Sequence, residues 1–107
     1  MGNQRALFRI ALERHGELRR GTEIADCNVL DLTEKGVQFK TDLALKVGET
    51  LQLTFGLTKT RAIECTVMVT RVSPPYVGTC IADISPADQQ ELSQFIEQLI
   101  TSNLGGF

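Results

Sequence analysis

The feature that most constrains this chain is a two-residue hydrophobic period that recurs in run after run and changes to a helical period only after Ser85-Pro86. Phe8, Ile10 and Leu12 alternate with Arg9, Ala11 and Glu13, and Leu51, Leu53 and Phe55 alternate with Gln52 and Thr54. Successive side chains of a strand point to opposite faces, so alternation of this kind describes strands with one face buried and one face wet. Further strands are expected over Ile24–Leu32, with Cys27 and Val29 on one face, and over Val37–Thr41, Ile63–Val69 and Tyr76–Ile84. Turn chemistry separates them: His15-Gly16, Arg20-Gly21, Val47-Gly48-Glu49, the polar loop Gly56–Thr60 and Ser73-Pro74-Pro75. Thr33–Gly36 joins two strands as a hairpin, with a positive φ expected at Gly36. After the last strand, Ser85 is placed as an N-cap, Pro86 as N1 and Asp88 as N3. Leu92, Phe95, Ile96, Leu99 and Ile100 follow at helical spacing, which predicts a helix over 86–101 stopped by Asn103 and Gly105-Gly106. The expected fold is therefore mainly β: about six antiparallel strands in a small barrel or Greek-key sandwich, closed by one C-terminal helix.

A length of 107 residues suits a single domain over 1–107, and 42% hydrophobic with 22% charged residues is ordinary for a folded one. The net charge of −2 argues against general affinity for nucleic acid, as does the presence of one Tyr and no Trp. The charge is unevenly spread. Residues 1–20 hold five arginines against two glutamates, leaving the rest of the chain at net −5. An acidic body with a basic end suggests that an anion is met at that end.

Cys27, Cys65 and Cys80 are widely spaced, form no CxxC and have one histidine, His15, for company, so no metal site is expected. They read as reduced, small apolar residues, which fits a cytoplasmic location. No apolar run approaches the length of a membrane span, so no membrane insertion is expected. No GxSxG, P-loop or GxGxxG occurs, and no catalytic residues or cofactor are expected.

Two patterns carry recognisable binding chemistry. Arg5-Ala-Leu-Phe-Arg9 is an RxxxR. On an extended chain, residues four apart face the same way at roughly 13 Å, so two planar guanidinium forks can grip phosphate oxygens or guanine O6/N7 at separate points. Asp31-Leu-Thr33-Glu-Lys-Gly36 is a DxTxxG. Asp31 and Thr33 share a strand face; a carboxylate accepts from guanine N1-H and N2-H2, a hydroxyl adds one adaptable bond, and Gly36 keeps the turn clear.

Together and in this order, the two patterns resemble those of the PilZ family of cyclic di-GMP receptors, whose signature is RxxxR followed by (D/N)xSxxG. The second arginine precedes the aspartate by 22 positions, a separation similar to the family's. The likeness covers nearly the whole chain: Val29–Phe39, Leu45–Leu53, Val67–Arg71, Gly78–Ile81 and the Ser85-Pro86 ending all resemble family segments. The resemblance implies a six-stranded antiparallel Greek-key (split) barrel with a C-terminal α-helix. It implies cyclic di-GMP bound by Arg5, Arg9, Asp31, Thr33 and Gly36. Residues 1–8 carry few apolar groups beyond Leu7 and Phe8, so a mobile segment is expected there that folds over the barrel on binding, and the signal is expected to pass to a downstream protein effector. Three departures stand out. Thr33 replaces the usual serine and adds a methyl with a stiffer χ1, Ile81 stands where an aromatic is common, and Gln4 rather than a basic residue precedes RxxxR, which leaves one bound ligand or a stacked pair open. The rival expectation is a motif-bearing adaptor that acts through protein contacts without nucleotide.

Overall fold

The computed structural model describes residues 10–105; Arg5, Phe8, Arg9 and the expected mobile segment 1–8 lie outside the described residues. Six strands, β1 (Ile10–Arg20), β2 (Glu23–Leu32), β3 (Gly36–Lys40), β4 (Thr50–Gly56), β5 (Ala62–Ser73) and β6 (Tyr76–Ile84), precede one helix, α1 (Pro86–Gly105). The strands close into a barrel in the order β1-β2-β3-β6-β5-β4, and all neighbours are antiparallel. The meander β1–β2–β3 followed by β4 beside β1 is a Greek key, and closure removes the free edges that an open sheet would expose. The alternation explains the core: Leu51, Leu53 and Phe55 of β4 face Val67, Cys65 and Ile63 of β5, and all six are buried.

Alternation alone would misplace two side chains. On β2, Cys27 and Val29 are buried, so strict alternation would carry Asp31 into the core. Instead Val29 pairs with Phe39 and Asp31 with the very next residue, Gln38, so Leu30 is an extra residue on β2. This bulge resets the phase: Leu32 is fully buried opposite Val37, and Asp31 faces outward. The same device recurs on β5. Val69 pairs with Thr79 and Arg71 with Gly78, leaving Thr70 as the extra residue, and the Thr70 hydroxyl donates to the Gly78 carbonyl at 3.1 Å. Arg71 is thereby turned outward, while Val72 takes the inward position opposite Val77.

The expected turn at His15-Gly16 is corrected: β1 runs unbroken through both residues. Gly16 pairs with Cys27 on one side and Phe55 on the other. A Cβ there would lie 2.9 Å from Cys27 Sγ, 3.1 Å from the Thr54 carbonyl oxygen and 3.3 Å from Phe55 Cβ. The glycine is thus required by close approach, not by a turn. Gly21 and Gly48, with φ of 62° and 95°, do sit in turns that need them. Leu57, assigned to a polar loop, is instead buried in the core.

The helix is four residues longer than expected and ends at Gly105. Its start follows the sequence: Ser85 Oγ accepts from the Asp88 amide at 3.1 Å. Asp88 Oδ2 accepts from the Glu64 amide at 3.1 Å, which ties the first turn to β5. Leu92 and Ile96 are buried in the core cluster, and Phe95 and Ile100 pack against it. Arg14 bridges strand and helix; its Nε donates to the Leu57 carbonyl at 3.1 Å, and its guanidinium lies 5.9 Å from the Phe95 ring centre.

Two stability outcomes follow from this packing. Gly16→Ala is expected to cost about 1–3 kcal/mol in urea unfolding, as overpacking does. Combining it with Cys27→Ala, which removes the nearest colliding atom, should give less than the sum of the two single losses. Burial pushes the thiols of Cys27 and Cys65 up to about 12, with nearby carboxylates, Asp26 for the first and Asp88 and Glu64 for the second, adding to it. Both thiols stay neutral in the folded chain while the unfolded chain ionises them near pH 9. Stability from this source is therefore complete below pH 9 and is lost as pH rises from 9 towards 12. The urea midpoint of wild type should fall across that interval more steeply than that of a Cys27→Val/Cys65→Val variant.

Candidate functional site

The two bulges assemble one row of outward positions across four strands: Asp31 on β2, Gln38 on β3, Gly78 on β6 and Arg71 on β5, each the register partner of the next. A carboxylate and a guanidinium thus stand at opposite ends of a row about three strand spacings, or roughly 14 Å, long. Arg71 lies across Gly78, where a Cβ would come within 3.7–3.8 Å of its Cβ, Nε and Nη2, and Nη2 reaches Gln38 Oε1 at 3.4 Å. In front of this row is an open cleft of about 390 Å³, lined by Asp31, Thr33 and Gly36 on one side and Thr70, Arg71 and Gly78 on the other.

The loop that carries Thr33 and Gly36 is built by its own hydrogen bonds. Thr33 Oγ1 accepts from the Gly36 amide at 2.9 Å and the Lys35 amide at 3.1 Å, and the Thr33 amide donates to the Gly36 carbonyl at 3.0 Å. The Lys35 carbonyl accepts from the Ile81 amide at 2.8 Å, which fastens the turn to β6. The hydroxyl that sequence reasoning assigned to a ligand therefore also closes the hairpin. Gly36 does not have the expected positive φ. A Cβ on it would lie 2.7 Å from the Thr79 carbonyl oxygen, so the glycine allows β3 to meet β6 at the floor of the cleft.

Of the five site residues expected from sequence, Asp31, Thr33 and Gly36 are brought together in this cleft, and Arg5 and Arg9 lie outside the described residues. Arg9 directly precedes Ile10, which pairs with Leu32, and Ala11 pairs with Asp31, so the chain enters β1 beside the cleft. Sequence reasoning missed Gln38, Arg71 and Gly78. Their signal is a register, not a spacing, and it exists only once the bulges at Leu30 and Thr70 are placed.

The charged groups differ in how they are used. Arg20 is held by Glu23 at 2.8 Å and Glu49 at 3.0 Å, and its pKa is raised chiefly by the hydrogen bond to Glu23. Among the described residues, neither Asp31 nor Arg71 takes part in an ion pair. No group of three or more metal-ligating side chains is gathered among the described residues, and no described helix is long and apolar enough to cross a membrane.

Among solved structures, the chain is similar to the Bacillus subtilis inhibitor of motility MotI/DgrA, with a TM-score of 0.77 and 22% identity over 92% of this chain and 52% of that one. It is similar to Escherichia coli YcgR in complex with c-di-GMP, with a TM-score of 0.80 and 15% identity over 96% of this chain and 49% of that one. The PilZ domain with c-di-GMP of Escherichia coli YcgR gives a TM-score of 0.74 and 14% identity over 98% of this chain and 100% of that one. At these identities the likeness is one of fold, and the chain spans about half the length of MotI/DgrA and of the longer YcgR chain. No curated protein matches. The family model described as PilZ domain matches residues 3–98, a span that includes Arg5, Arg9, Asp31, Thr33 and Gly36, and the chain belongs to the PilZ domain family.

Proposed function

We propose that this chain is a non-catalytic receptor that binds cyclic di-GMP in the outward cleft and passes the signal to a protein effector in the cytoplasm. The observation that carries the reading is the meeting of Asp31, Thr33 and Gly36 in one cleft beside the entry to β1, where RxxxR ends. Two solved structures of one relative of the same fold, Escherichia coli YcgR, are complexes with c-di-GMP, which supports that ligand over other anions.

Each group has a part that its chemistry suits. Arg5 and Arg9 grip phosphate oxygens and the guanine O6/N7 edge with bidentate, charge-assisted bonds. Asp31 accepts from guanine N1-H and N2-H2. Thr33 shapes the turn and offers what remains of its hydroxyl. Gly36 keeps the floor free of a side chain. Arg71 adds a cation on the far wall. Binding folds the segment that bears Arg5 and Arg9 over the barrel, and the surface so formed is what the effector reads.

Calorimetric titration with cyclic di-GMP tests the reading and counts ligands per chain. Arg5→Ala and Arg9→Ala should each weaken binding about tenfold to hundredfold, the worth of a charge-assisted contact of about 1.5–3 kcal/mol, with urea unfolding little changed. Cyclic di-AMP should bind much more weakly than cyclic di-GMP, because adenine presents N6-H2 where guanine has O6 and lacks the N2 donor. Asp31→Ala should narrow that preference. If wild type gives no binding heat, the adaptor reading without nucleotide replaces this one; if both arginine variants titrate like wild type, the site is wrong.

A further inference from the structure

The row Gln38–Gly78–Arg71 is the wall of two clefts, not one. On its far side from Asp31 lies a second cleft of about 320 Å³, completed by Ser73, Tyr76 and Val77. Tyr76 opens β6 opposite Lys40 and Ser73, two residues before Gly78 and on the same outward face. It is 45% exposed, whereas Phe39 and Phe55 are buried and Phe95 packs against the core. Among the described phenylalanine and tyrosine side chains, Tyr76 alone offers its ring to solvent to this degree, beside a concave wall carrying a guanidinium.

We propose that the Tyr76 cleft is a second base subsite: the ring of Tyr76 takes the face of one purine while the other purine is read at Asp31, with Arg71 between them. This inference rests on the cyclic di-GMP reading and deepens it. A cyclic dinucleotide has two planar bases at opposite ends of a doubly charged ring, so a matching site needs two places for bases and a cation between. The barrel surface supplies that arrangement. Tyr76 lies about 10 Å across the strands and about 7 Å along them from Asp31, and Arg71 occupies the shared wall. Gly78 carries no side chain, and the Arg71 side chain lies across it, with Cβ, Nε and Nη2 3.7–3.8 Å from the Cβ position. An aromatic face stacks on any base, so Tyr76 contributes affinity, while the choice of guanine over adenine stays with Asp31.

The chain has one Tyr and no Trp, so its tyrosine emission reports on Tyr76 alone. Cyclic di-GMP is titrated into wild type, Tyr76→Ala and Tyr76→Phe by calorimetry. Wild-type tyrosine emission is followed in parallel against free N-acetyltyrosinamide at the same nucleotide concentrations. Tyr76→Ala should bind about tenfold more weakly with its preference over cyclic di-AMP intact, and Tyr76→Phe should bind within about twofold of wild type. Wild-type emission should fall beyond the control and saturate with the calorimetric isotherm. Wild-type emission that follows the control while calorimetry shows binding overturns the Tyr76 subsite and leaves the receptor reading standing; so does a folded Tyr76→Ala that binds like wild type. Absence of binding heat in wild type overturns both.

Discussion

The structure depends on how the barrel reconciles a buried, alternating interior with polar groups at positions where alternation would bury them. An ionised carboxylate in an apolar core carries a desolvation cost of several kcal/mol even after relaxation. Asp31 shares its parity with the buried Cys27 and Val29, and Arg71 shares its parity with the buried Val67 and Val69. One extra residue on each strand, Leu30 and Thr70, removes the conflict. Each bulge turns a charged side chain outward and moves the next apolar residue, Leu32 or Val72, to the inward side. Core and cleft are therefore two consequences of one device: the phase shift that fills the interior also turns Asp31 and Arg71 out to the cleft.

The cleft inherits its rigidity from the same barrel. Its floor is backbone, because Gly36 meets the Thr79 carbonyl and Gly78 lies under Arg71. Its rim is a hairpin whose amides are satisfied by the Thr33 hydroxyl and whose Lys35 carbonyl is tied to β6. A serine would close the same turn with its hydroxyl, so replacing the family's usual serine by Thr33 preserves the scaffold and changes chiefly the methyl presented at the cleft. At the opposite side of β1, Arg14 spans from the Leu57 carbonyl to Phe95, and α1 covers that end of the barrel.

Much of the fold was legible because alternation is a local signal and each run stated its own buried face. The six strands, the hairpin at Arg20-Gly21, the cap at Ser85 and the apolar stripe through Leu92 and Ile96 could all be read from neighbouring residues. What was not legible depended on residues far apart in the chain. Gly16 looked like a turn because the atoms that demand a glycine there, from Cys27, Thr54 and Phe55, arrive from two other strands. Gly36 looked like a positive-φ residue because its collision with the Thr79 carbonyl comes from β6. Asp31, Thr33 and Gly36 could be named from their spacing, but Gln38, Gly78 and Arg71 join them only through register, and register shifted by bulges leaves no spacing to recognise.

Amide-resolved NMR titration of the full chain with cyclic di-GMP tests the central claim most directly, since it reports every backbone position at once. The account requires saturable shifts at Asp31, Thr33, Gly36, Gln38, Arg71 and Gly78, together with residues 3–9, and little change at Leu53 in the core or Phe95 on α1. Shifts centred on another surface, such as the apolar cleft between Leu43–Leu45 and Pro74-Pro75, would contradict it, as would an unchanged spectrum at millimolar ligand.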